Sequence, residues 1–192
     1  MSFFALAKEP GLRPARREFL TQSGLVLSGT AIALMAGRDA LAKTGGKPTE
    51  DDVKILNTAL GSELEAIAAY QVGAESGLLQ KPVLDIAVTF QGHHKAHAQV
   101  LASTIEKLGG KPVAAKAKYT FPVETLKTQN DVLKFAASLE KGAVSAYLGA
   151  VPIFADRELS KAAASILGDE AMHWAILRNA LGEVPVPGAF VG

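Results

Sequence analysis

Four stretches of the chain carry apolar residues at intervals of three and four, separated by segments rich in glycine and proline. The first stripe runs Leu56, Leu60, Glu63, Ile67, Tyr70, Ala74, and the second Ile86, Phe90, His94, His97, Leu101, Ile105, Leu108. The third is Leu133, Ala136, Glu140, Val144, Tyr147, Val151, and the fourth Ile166, Glu170, His173, Leu177, Leu181. Each therefore predicts an amphipathic helix whose buried face is interrupted near its middle by one or two ionisable residues. No segment alternates with period two for long enough to predict a strand, so the expected fold class is all-α.

The ends of these helices can be read from local signals. Thr49 followed by Glu50, Asp51 and Asp52 is a good N-cap with acids in the first turn, and the helix it opens should run to about Gly77. Pro82 suits the first position of a second helix that stops at Leu108, Gly109 and Gly110. The third opens near Asn130 and Asp131 and stops before Pro152, and the fourth opens near Asp156 and stops at Gly182. Residues 183–192, with Pro185 and Pro187, form a tail.

Short links between the first and second helices, and between the third and fourth, predict two antiparallel hairpins. The link of 109–129 is much longer. Extended, ~20 residues reach ~66 Å, whereas a 27-residue helix is ~40 Å long, so this link can cross the whole bundle and leave the second and third helices parallel.

With 192 residues, 48% of them hydrophobic, the chain has room for one well-buried domain. The formal charge of +1 hides a basic start: residues 1–42 hold five Lys/Arg against three acids, which leaves 15 against 16 for the rest. That balance gives no reason to expect a nucleic-acid partner. The segment Ala15, Arg16, Arg17, Glu18, Phe19, Leu20, Thr21, followed by the mildly apolar residues 24–37 and by Ala40, Leu41, Ala42, resembles a twin-arginine signal peptide cut after Ala42. Ala15 and Thr21 depart from the usual flanks of that motif. The apolar run of 14 residues is shorter than the ~20 needed to span a bilayer. The expected organisation is thus a signal peptide over 1–42 and one helical domain over 43–192, with the twin-arginine export machinery as a partner and the periplasm as the destination.

The chain has no cysteine, so neither disulfides nor thiolate ligands enter the picture. Three of its four histidines fall in the window Gln91, Gly92, His93, His94, Lys95, Ala96, His97, and the fourth closes Glu170, Ala171, Met172, His173. Spacing of three brings both members of a pair to one helix face, where they can converge on a cation. Glu63, His94, His97, Glu140, Glu170 and His173 all lie near the midpoints of their helices and should meet in one layer. The inward stripes contain no Lys or Arg to offset three buried carboxylates, and a bound cation would do so. With no thiolate available, an N/O donor set favours iron, manganese, zinc or copper(II) over softer metals. The two halves also repeat, 34 residues from Glu63 to His97 and 33 from Glu140 to His173.

On these residues the segment 50–182 resembles the ferritin-like superfamily, and with its leader the exported ferritin-like domain proteins. The resemblance implies a ferritin-like four-helix bundle with a Glu on the first and third helices and Glu-x-x-His on the second and fourth. Glu63, Glu140 and Glu170/His173 match, whereas the second helix has His94 in place of the glutamate. A second register, Gln91/His94, places Gln there instead; His94/His97 is preferred because Gln91 lies beside the stripe. The resemblance then assigns Glu63 and His97 to one metal, Glu140 and His173 to the other, Glu170 as the one remaining bridge and His94 as a terminal ligand. Three glutamates and three neutral histidines leave two divalent ions a net +1, against zero for a four-glutamate set. The expectation is a weaker second position or a single filled one. The functional reading is an exported protein binding one or two non-haem ions, iron ahead of manganese, zinc or copper, for metal-centred oxidation under redox or metal stress. The alternatives are non-enzymatic metal binding or storage, and a structural bundle with a degraded centre; a homodimer is an expectation of the resemblance alone. Tyr70 and Tyr147 are expected to bond backbone more readily than the site, His93 to lie at its edge, Trp174 to be packing, and Glu65 to face solvent.

Overall fold

The computed structural model describes residues 46–191; the signal peptide expected over 1–42 lies outside them. Four helices make the bundle: α1 (Glu50–Glu75), α2 (Lys81–Lys107), α3 (Gln129–Ala150) and α4 (Arg157–Ala180), with short 3-10 turns at Val123–Thr125 and Val151–Ile153. Among the described residues there is no strand. The stop signals act where expected, since Gly77, Gly109 and Gly182 take positive φ after α1, α2 and α4, a conformation glycine adopts without steric cost.

Side-chain pairs give the directions. Gln91 of α2 reaches Ile67 and Gln71 of α1 while His94 reaches Glu63, so α1 and α2 are antiparallel. Tyr70 and Tyr147 reach Glu140 and Glu63 across α1 and α3, which makes those helices antiparallel as well. Hence α2 and α3 run parallel, as the long link allows. Asn57 pins that link to α1, donating to Lys111 O (3.2 Å) and accepting from Val113 N (2.7 Å), and Phe121 packs edge-on to Phe135 of α3.

Matched capping boxes start α1 and α3. In each, a threonine (Thr49 or Thr128) accepts from the backbone of an aspartate three residues on (Asp52 or Asp131), whose carboxylate accepts from the threonine N–H in return. Asp52 does more, because its second oxygen accepts from Ala155 N at 2.8 Å and ties the start of α1 to the α3–α4 connection. It is 1% exposed. Asp52→Ala removes a cap and the acceptor of the Ala155 N–H, and the expected loss is roughly 1–3 kcal/mol, read as a lower urea midpoint at unchanged m-value.

The core divides into two apolar clusters. One is built on Leu56, Leu60, Leu101, Ile105, Phe154 and Ile166, the other on Phe90, Leu133, Ala137 and Leu177. Between them, at mid-depth of the bundle, lies a buried polar layer.

Candidate metal centre

All six ionisable residues expected to converge do so. Glu63, His94, Glu140, Glu170 and His173 are at most 3% exposed, and the His97 side chain is 15% exposed. They fall into two groups whose potential ligand atoms lie within 4.8 Å of one another: Glu63, His94, His97 and Glu170, and His94, Glu140, Glu170 and His173. Glu170 divides its oxygens between them, Oε1 lying 3.1 Å from His97 Nδ1 and Oε2 3.6 Å from His173 Nδ1.

His94 also belongs to both groups. Its Nδ1 is 2.8 Å from Glu63 Oε2 and its Nε2 is 3.3 Å from Glu140 Oε1. Helical periodicity places the residue on the inner face but does not say where each ring nitrogen points.

Gln91 is buried beside the stripe and does not enter the layer. Its amide donates to Ile67 O (3.0 Å) and Gln71 Oε1 (2.8 Å), and its oxygen accepts from Lys95 Nζ (2.7 Å). Of the two possible registers, the structure thus turns His94/His97 inward. Both tyrosine expectations are also revised: Tyr147 donates to Glu63 Oε1 at 2.6 Å and Tyr70 donates to Glu140, not to backbone. Burial, with the glutamate each one faces, raises both phenols well above their usual range, so they remain donors. Glu65 is only half exposed, on the wall of a groove of about 580 Å³ between α1 and α3 that reaches Glu63, His94 and Glu140. Trp174 packs against the second apolar cluster, with Lys141 and Arg178 over its ring.

Sequence reasoning missed Asp169. Its Oδ2 lies 3.3 Å from His97 Nε2, 3.3 Å from His173 Nε2 and 3.1 Å from His93 Nδ1. One carboxylate thus faces the outer nitrogens of two histidines and favours the tautomers that turn both Nδ1 atoms inward. Its place four residues before His173, on the same helix face, was the available signal. His93, half exposed and 2.8 Å from His173 Nε2, continues this cluster to the surface. Asp169→Asn is expected to weaken metal binding about 10–100-fold with the fold intact, measured by competition against a chelator of known affinity.

Without a cation, protons hold the layer together. Burial depresses His94, but Glu140 and Glu63 outweigh it and lift the imidazole to about 9. Burial likewise opposes charge on His97 and His173, and Asp169 with the neighbouring glutamates raises each to about 11. Glu63, pushed up by burial, is held at about 2 by His94 and His97, and Glu140 and Asp169 lie well below the usual carboxylate range under their histidines. Glu170 moves the other way, raised by burial and by the neighbouring Glu140.

That arrangement leaves atoms unused. His97 Nδ1, Glu140 Oε2, both Glu170 oxygens and His173 Nδ1 are buried without a hydrogen-bond partner in acceptable geometry. Buried polar atoms are ordinarily paired, and these five converge within the two groups. Their chemistry and placement fit metal ions.

Residues 51–183 match the family model of the ferritin-like domain. Among solved structures, the chain is similar to a conserved hypothetical protein, rv2844, from Mycobacterium tuberculosis (21% identity, TM-score 0.63), over 72% of this chain and 96% of that one. It is also similar to a mycobacterial bacterioferritin (19% identity, TM-score 0.60), over 71% of this chain and 86% of that one. At these identities the likeness is one of fold. No curated protein matches the sequence.

Proposed function

Because the chain belongs to the ferritin-like domain family, we propose that its buried layer is a non-haem centre for one or two metal ions, namely iron, and that it serves metal-centred oxidation. The observation that carries this reading is the set of five unpartnered buried ligand atoms, contributed by α2, α3 and α4. An all-N/O donor set with no cysteine in the chain supports iron over softer metals, and the fold likeness to a bacterioferritin points the same way. Bound iron would supply one-electron exchange with oxygen or peroxide.

The protein's own groups prepare the place. Glu63, His97 and Glu170 hold one position, Glu140, His173 and Glu170 the other, and His94 lies between them. Tyr70 and Tyr147 fix one oxygen each of Glu140 and Glu63, so those carboxylates present their remaining oxygen inward. Asp169 orients His97 and His173. The groove between α1 and α3 gives a small oxidant a way in. Export through the twin-arginine pathway to the periplasm belongs to the same proposal and rests on residues 1–42 of the sequence. Among the described residues no helix is long and apolar enough to cross a membrane.

Anaerobic loading of metal-free protein with Fe(II), followed by oxygen, tests the reading. Stoichiometric binding and oxidation faster than in buffer are expected. Binding without oxidation would leave a metal-binding or storage role, which the placing of an imidazole in the shared position favours as second reading. Failure to bind would overturn both.

A further inference from the structure

We propose, on the reading of this layer as a metal centre, that His94 is a bridging ligand, with Nδ1 serving the Glu63/His97/Glu170 position and Nε2 the Glu140/His173/Glu170 position. The ring lies between the two groups. Nδ1 is 2.8 Å from Glu63 Oε2 and 3.6 Å from Glu170 Oε1, whereas Nε2 is 3.3 Å from Glu140 Oε1. The rings of Tyr70, His97 and His173 surround it at centroid distances of 5.2, 6.1 and 5.5 Å, which leaves the imidazole little room to swing to one side. His94 is 2% exposed, so neither nitrogen is spent on solvent.

A ring that faces a ligand group with each of its nitrogens can hold a cation at both. Ions at opposite ends of one ring are coupled electronically through it.

Copper(II) is a suitable probe, since it binds N/O sites tightly and carries one unpaired electron. Metal-free protein given two equivalents per chain should bind both, and the electron paramagnetic resonance signal of isolated copper should be lost as the second position fills. His94→Gln, which lacks the second nitrogen, should retain a single copper with a full isolated signal. Two bound coppers with undiminished signals in the wild type would overturn the bridge and leave the metal centre standing, as would coupled coppers in His94→Gln, which would route the coupling through Glu170. Absence of bound copper would overturn both. Should His94→Gln fail to fold, a crystal structure of the cobalt-loaded wild type decides: a separate ion on each ring nitrogen supports the bridge, and one nitrogen still facing a carboxylate overturns it.

Discussion

Glu170→Gln is expected to abolish metal binding at both positions while leaving the metal-free fold stable to within about 1 kcal/mol. Glu170 is the one carboxylate shared by both ligand groups, and it is fully buried. Losing it should cost each position more than the roughly 10–100-fold that loss of an outer partner costs. The metal-free protein should notice little, because neither carboxylate oxygen has a hydrogen-bond partner to lose and burial with Glu140 already biases the group toward its neutral form. Glu63→Gln and Glu140→Gln should each weaken one position more than the other. Metal analysis beside urea denaturation of the three variants checks this, and equal effects from all three would show that Glu170 is not shared.

Chelation is expected to lower the melting temperature, with a pH dependence of opposite sign to that of the metal-free protein. Free metal at 100–1,000 times Kd stabilises by about 2.7–4.1 kcal/mol per position, and at about 2–4 °C per kcal/mol the drop for one position is roughly 5–16 °C. In the metal-free protein His94, His97 and His173 titrate at about 9, 11 and 11, against 6.5. The folded state therefore binds more protons than the unfolded above pH 6.5, and that stabilisation, complete below 6.5, is lost as pH rises through 9 to 11. Glu63, at about 2 against 4.5, contributes above 4.5 and loses its contribution as pH falls toward 2. Metal-free stability should thus be greatest between about 4.5 and 6.5. Metal ions compete with the same histidine protons, so their contribution should grow as pH rises. Melting curves with and without chelator between pH 6 and 9 should diverge; parallel curves would contradict the proton competition.

The fold was legible because its punctuation is local. Thr49, Pro82, Gly109 and Gly182 act through the backbone of their own neighbours, and each ends or begins a helix where its chemistry dictates. The depth of the layer was legible too, since Glu63, His94, Glu140 and Glu170 sit at helix midpoints that hairpins must bring together. What escaped depends on helix rotation and rotamer. Asp169 reads as an exposed acid until α4 is turned against α2. The tyrosines lie on the expected stripe, but only cross-bundle distance shows that their hydroxyls stop at Glu63 and Glu140. The two-sided use of His94 needs partners on three other helices, which no single-helix pattern contains.

The central claim, that this layer holds metal, is tested most directly by counting ions in protein purified without chelator and then loaded anaerobically with Fe(II). The account predicts one to two ions per chain, removed by Glu170→Gln. Fewer than about one ion per two chains, or a count unchanged in that variant, would contradict it.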